Sequence, residues 1–223
     1  MISPHKPDHR RRVGVERSQK TRAHILESAV GVFALKGAHA PVIDDFVRAA
    51  GISRGTFYNY FDTTHALLHA TIEWLEDDVF GSMEPEAAAI PDVALRLATA
   101  TRMYLRWAAA HRRWCAFVTH VPQIGTLARR RLLRDLRDGQ KSGVFRFPHV
   151  QAAHDLAAGI VAQAVQRMAA TPRAAARTDE VVHVMLQGLG VNPAELQRVM
   201  AASIPVSARP AKSASLFKTG SND

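Results

Sequence analysis

A helix that must stop at Gly51 and another that must begin by Ser53 constrain this chain more tightly than any bulk property. Ile43, Phe46, Val47 and Ala50 recur at helical spacing. Gly51 is the residue type that most easily takes the left-handed conformation closing a helix. Ser53 can accept a backbone N–H in the first turn of a new helix, so only a tight turn separates the two and they cross steeply. That arrangement is a helix-turn-helix. In its second helix Phe57 and Phe61 stand at i, i+4 and point inward, while Gly55 and Asn59, flanked by Thr56 and Tyr58, project the other way.

Glycine inside a helix costs about 1 kcal/mol relative to alanine. Gly55 is therefore either a tolerated flaw or a place where something outside the chain comes close to the backbone. Its neighbours Arg54, Thr56, Tyr58 and Tyr60 can all donate to phosphates or base edges, which favours a DNA groove.

The run Ala49-Ala50-Gly51-Ile52-Ser53-Arg54-Gly55-Thr56-Phe57-Tyr58-Asn59-Tyr60-Phe61 is preceded by Thr21-Arg22, by Ile25-Leu26-Glu27-Ser28-Ala29, and by Phe33 and Gly37. Together these resemble the DNA-binding domain of the TetR family of one-component repressors, over roughly residues 17 to 70. The resemblance implies an all-α homodimer in which three N-terminal helices hold DNA and the later helices hold a small-molecule ligand and the partner subunit. It places Ser53, Arg54, Gly55, Thr56, Tyr58, Asn59 and Tyr60 on the recognition helix, with Thr56 and Tyr58 foremost as DNA contacts. Two departures weaken the implied grip on phosphates. Pro41-Val42 stands where the family usually has threonines, and Thr64 stands where it tends to have lysine.

Charge agrees with a polyanionic partner: the 223 residues carry a formal net charge of +9. Lys6, Arg10, Arg11, Arg12, Arg17, Lys20 and Arg22 crowd the N-terminus. They read either as an arm that tracks phosphates or enters a minor groove, with Arg17 and Lys20 nearest the helix-turn-helix, or as a solvated leader. Pro4, Pro7 and Gly14 predict disorder over residues 1–16 in both cases. Cys115 is the single cysteine, and no apolar run follows the basic leader, so a reducing cytoplasmic setting without membrane residence is expected.

Four segments follow: a disordered basic arm (1–16), a helix-turn-helix domain (17–64), a helical ligand-binding and dimerisation domain (65–203) and a disordered tail (204–223). The first helix should run from Ser18 to Leu35, with Ile25, Leu26, Ala29, Val32 and Phe33 buried. A fourth, from about Thr63 through Leu67, Leu68, Ile72, Leu75 and Val79, should enter the second domain and act as a lever. From Asp92 a single helix carries Val93, Leu97, Ala100, Tyr104, Trp107 and His111, and continues through Trp114, Phe117 and Val118 to Pro122. Trp74, Met103, Tyr104, Trp107, His111, Trp114 and Phe117 are the candidate pocket wall, the alternative being ordinary core. Gly125 to Lys141 is a basic amphipathic helix, either a second nucleic-acid surface or solvated charge partly paired with Asp135 and Asp138. His149–Ala170 and Ala176–Leu189 are rich in small residues. Their Leu156, Ile160, Val165, Val181, Val184 and Met185 are expected at a four-helix dimer contact, or else packed within one chain.

Two constellations suggest other chemistry. His111 and Cys115 at i, i+4 have the spacing of a base and a nucleophile, but they lie on an apolar stripe with no third partner, so no enzymatic activity is expected. Asp62, His65, His69 and Glu73 share one helical side and could hold a divalent metal, though a wet polar face explains them more simply; no metal or cofactor is expected. The function expected is sequence-specific DNA binding by a transcriptional regulator, a repressor released by a small hydrophobic or aromatic ligand. The alternative is a DNA-coating protein that does not choose sequence.

Overall fold

The structure, a computed structural model, describes residues 7–120, 126–171, 177–203 and 211–217. Among them ten α-helices occur and no strand: α1 Pro7–Lys36, α2 Ile43–Ala50, α3 Arg54–Tyr58, α4 Thr64–Ala88, α5 Val93–Ala110, α6 Arg112–His120, α7 Thr126–Lys141, α8 Val150–Ala170, α9 Thr178–Gly188 and α10 Pro193–Ala201. A 3-10 helix, Lys212–Phe217, follows. The chain divides into two compact units, Met1–Thr71 and Ile72–Asp223, so the division falls inside α4 rather than at residue 64.

The first unit is built on Ile25, Leu26, Ala29, Val30 and Phe33 of α1, Phe46 of α2, and Phe57, Phe61, Leu67 and Leu68 beyond them. Phe33 and Phe46 lie 4.9 Å apart by ring centroids and Phe57 and Phe61 6.1 Å, a spine of phenyl rings that fixes how the three helices cross. Val30 is buried and Val32 only half-buried, so the inward stripe is turned slightly from the expected one.

Helix α1 begins at Pro7, well before Ser18, and residues 7–16 are helical instead of forming a disordered arm. Proline suits a first helical turn, and the residues after it are mostly charged or straight-chain types that lose little on entering a solvated helix. Residues 1–6 of that arm lie outside the described residues.

In the second unit Leu75, Val79, Ala94, Ala98, Leu105, Ala108, Cys115, Leu136, Phe145, Ala157, Val165, Val182, Leu186 and Val199 make the core. Gly139 of α7 lets the buried Phe145 ring lie flat on the helix: a Cβ there would come within 2.1 Å of that ring. The stripe expected to be one helix from Asp92 to Pro122 is broken. α5 ends at His111, whose φ of −129° and ψ of 75° are not helical, and α6 starts at Arg112. His111 Nδ1 lies 2.6 Å from the Trp107 carbonyl oxygen, and the Cys115 thiol donates to the Ala108 carbonyl at 3.2 Å, so side chains engage carbonyls that a continuing helix would have bonded.

The expected disordered tail is partly ordered. Ala211 and Ser213 are buried, and the Ser213 N–H donates to the Asp78 carboxylate at 2.5 Å. Gly125 and Ala176, expected helix starts, lie outside the described residues, as does Pro122; α7 and α9 are described from Thr126 and Thr178.

Candidate functional site

The turn forms as the residue types dictate. Gly51 has φ 61° and ψ 35°, and the Gly51 and Ile52 N–H groups donate to Arg48 and Val47 carbonyls at 3.3 and 3.1 Å. Ser53 Oγ then accepts the Thr56 N–H at 3.0 Å, capping α3. At the other end of α2, Val42 has no hydroxyl to cap with. The Asp45 carboxylate reaches back instead and accepts the Val42 N–H at 3.0 Å, while Lys36 pairs with it at 2.6 Å. The Lys36 ammonium, then the Val42 N–H, hold the Asp45 carboxyl below its usual range.

α3 presents one side. Phe57 is wholly buried, whereas Ser53, Arg54, Gly55, Tyr58 and Asn59 are exposed and Thr56 and Tyr60 half-buried. The exposed Tyr58 ring stands edge-on to Phe57, 5.8 Å away and perpendicular to it, which holds the phenol outward without covering it. A Cβ on Gly55 would meet only Ser53 Oγ at 3.8 Å, and its backbone lies outside the left-handed region. Nothing within the chain requires glycine there.

Arg54 is not a free donor. Its Nε and Nη2 donate to the Asp44 carboxylate at 2.6 and 2.5 Å, a bidentate pair that raises the guanidinium pKa and lowers that of Asp44. The fork to Arg54 was missed because it joins residues on different helices.

The second unit holds a cavity of about 220 Å³, walled by α4 through α9. Tyr104, Trp114 and Phe117, three of the expected wall residues, line it, together with Phe80, Leu97 and Met83. Phe80 stacks on Tyr104 at 5.1 Å, and Trp114 Nε1–H donates to the Tyr104 hydroxyl at 3.1 Å. Burial pushes the Tyr104 phenol up, the Trp114 hydrogen bond opposing it. Trp74, Met103, Trp107 and His111 are not among the lining residues. Trp107 and His111 stack on each other at 4.4 Å instead, at the α5–α6 break. Polar groups at the wall include Glu76 and two ion pairs, Arg131–Glu84 at 3.0 Å and Arg96–Asp135 at 3.1 Å. Asp135 thus points inward, correcting its expected place among solvated charges.

The dimer set divides. Val165 and Met185 are fully buried in the chain's own interior, and Met185 lines the cavity. Leu156 and Val184 are exposed, and Ile160 and Val181 half-buried. Leu156 leans over Gly188, where a Cβ would come within 2.8 Å of its Cδ2, so α8 and α9 sit close.

Cys115 is buried, and that burial pushes its thiol up to about 11, opposite to an activated nucleophile. His65 and His69 rings touch at 4.4 Å, yet among the described residues no three His, Cys, Asp or Glu side chains are placed to hold a metal ion. No helix among them is long and apolar enough to cross a membrane. Sequence reasoning also missed Arg102. Its side chain is 2% exposed; Nε donates to Asp179 at 2.8 Å, and Nη1 and Nη2 to the Val199 and Met200 carbonyls at 3.2 and 3.0 Å.

A capped recognition helix after a glycine turn, with its aromatic spine inside and its slim face out, defines a helix-turn-helix head of the DNA-binding class. Residues 25–71 match the family model for bacterial regulatory proteins of the tetR family. That match covers about a fifth of the chain, and it is this stretch that is similar to the TetR family. It is 39% identical to the HTH-type transcriptional regulator CymR of Pseudomonas putida over 31% of this chain and 34% of that protein. With the HTH-type transcriptional repressor KstR2 of Rhodococcus jostii (strain RHA1) it shares 27% identity over 56% of this chain and 68% of that one. The alignment thus spans about a third of the CymR relative. A solved structure of RolR with its ligand resorcinol has the same fold, with a TM-score of 0.60, 22% identity and coverage of 87% of this chain and 100% of that one.

Proposed function

We propose that the protein is a sequence-specific DNA-binding transcriptional repressor that works as a homodimer and releases DNA when a small, largely apolar aromatic ligand enters the cavity of its second unit. The observation that carries the DNA half is Gly55: its own chain leaves the position open, so a partner's close approach is the remaining reason for glycine within that short helix. Thr56 and Tyr58 are the base-reading side chains, with Ser53, Asn59 and Tyr60 on the flanking phosphates. Arg54 contributes by holding α2 and α3 together through Asp44 more than by contacting DNA directly.

The cavity supports the ligand half. Its size and its Phe80, Tyr104, Trp114 and Phe117 walls suit a single aromatic ring with one or two polar substituents. RolR, of the same fold, binds resorcinol, which has that form. α4 lines the cavity from Ile72 to Ala88 and begins, at Thr64, in the unit that holds the recognition helix, so a ligand preferring one position of α4 biases the reading head. The exposed apolar face of α8 and α9, with Leu156, Ile160, Val181 and Val184, is the dimer contact. A cytoplasmic location goes with binding to operator DNA.

Selection of binding sites from a random duplex library tests the reading. A recovered motif, bound more tightly than random duplex at fixed salt by several kcal/mol and released by resorcinol or a related single-ring phenol, is expected. Equal binding to all duplexes would refute it in favour of a DNA-coating protein.

A further inference from the structure

We infer that the N-terminal stretch of α1, residues 12–21, is a second DNA-contacting surface that grips phosphates beside the footprint of the helix-turn-helix. The inference rests on the DNA-binding reading above and concerns where the electrostatic hold comes from.

The recognition unit is poorly supplied with cations of its own. Arg54 is forked onto Asp44 and Lys36 onto Asp45. Pro41, Val42 and Thr64 bring no charge. Arg48 of α2 is exposed without an ion pair among the described residues, and the other unengaged cations stand together on α1. Arg12, Arg17 and Lys20 are exposed, and none of them has an ion-pair partner among the described residues. Glu16 is the one acid between Arg12 and Thr21.

The anchoring of α1 places these charges near the turn. Arg22 lies over the Phe61 ring at 5.5 Å from its centroid, and His24 Nε2 is 2.9 Å from the carbonyl oxygen of Ala50, the last residue of α2. The helix is therefore pinned beside the turn that aims α3. From there it continues toward its N-terminus with every residue from Arg12 to Lys20 exposed. At 1.5 Å per residue Arg12 lies about 15 Å beyond Arg22. On a helical projection Arg12, Lys20 and Arg17 fall within an arc of about 140° that also holds Glu16, so this side of the projecting rod carries three cations against one acid.

A charged helical face is ordinarily just solvated, but this one has no packing role in its own unit and starts at the DNA-reading turn. Its complement is a regular row of phosphates, which a rigid rod with three cations on one side meets better than a flexible arm does. The occupant is double-stranded DNA, contacted through its backbone without regard to sequence.

The test compares full-length wild type with Arg12→Ala/Arg17→Ala/Lys20→Ala and with the charge-preserving Arg12→Lys/Arg17→Lys/Lys20→Arg. The probe is a duplex recovered by wild type from a random library and made with ten additional base pairs on each side. Each phosphate neutralised contributes about 0.9 to the slope of log K against log salt, so loss of three contacts lowers the slope by about 2.7 per protomer. The alanine variant should show that loss with its preference for the recovered motif over random duplex unchanged, and the charge-preserving variant should keep the wild-type slope. Circular dichroism and Tm equal to wild type confirm that the fold is kept, since alanine favours helix at all three positions. An unchanged slope in the alanine variant overturns the inference while leaving the DNA-binding reading intact. So does an unchanged DNA slope accompanied by lost binding to phosphatidylserine vesicles, which would assign the surface to a membrane. A wild type that recovers no motif overturns the reading beneath it.

Discussion

Replacing Gly55 with alanine separates what the fold needs from what a DNA partner needs. The new Cβ would sit 3.8 Å from Ser53 Oγ, an ordinary contact, and would meet no other atom of the chain within 4 Å. Alanine also removes the conformational cost of glycine, about 0.5–1 kcal/mol in a helix interior. Gly55 lies next to the first residue of α3, where that benefit is smaller, so about 0.5 kcal/mol of stabilisation is expected. In a unit of some seventy residues this corresponds to a rise of roughly 2–4 °C in its Tm. DNA binding should move the other way. A methyl group that holds the backbone off a phosphate or base edge removes at least one close contact, and a loss of about 10- to 100-fold in affinity, or 1.4–2.7 kcal/mol, is expected. Thermal unfolding followed by circular dichroism gives the first quantity and fluorescence anisotropy on the recovered duplex the second. A variant that gains stability and binds DNA as well as wild type would refute the argument that Gly55 is kept for an outside partner. A variant that loses stability would refute the premise that the chain leaves the position open.

Gly139→Ala should cost about 1–3 kcal/mol in denaturant unfolding, because the buried Phe145 ring occupies the place of the added methyl and must shift. Arg102→Met should destabilise by about 2–4 kcal/mol, since the Val199 and Met200 carbonyls lose their donor, and an equally stable variant would show that water replaces the guanidinium. Alkaline stability should carry the mark of Cys115. Its thiol, pushed up to about 11 by burial, titrates above its unfolded value near 8.5. The folded state thus holds the proton more tightly, and stability present below pH 8.5 is lost as pH rises through 11, by roughly 2–3 kcal/mol. Cys115→Ala should flatten that part of the pH–stability profile, and an unchanged profile would remove burial as the cause.

The head of the protein was legible because its signals are local. Gly51, Ser53 and the Phe57–Phe61 spacing each act within one turn of backbone, and the structure forms the turn, cap and buried rings they specify. The second unit was less legible because its decisive interactions join distant residues. Arg102 sits in α5 and finds its partners on α9 and α10, so alone it reads as a surface charge. The break at His111 carries no glycine or proline, and the apolar spacing runs through it. That is why the aromatic stripe looked like one wall, when only Tyr104, Trp114 and Phe117 reach the cavity. Val165 and Met185 share the composition of an outer face with Leu156 and Val184, and only packing within the chain tells the two pairs apart. The helical start at Pro7 was hidden because proline and glycine near a terminus weigh toward disorder in any local reading.

Arg102 has a mechanical consequence for the second unit. One guanidinium ties the middle of α5 to the start of α9 and the end of α10, and pulling any of the three away would strand a buried cation or two carbonyls. Those helices therefore travel as a single stiff block. A molecule that swells the cavity would therefore meet least resistance from the walls this guanidinium does not hold, α4, α6, α7 and α8.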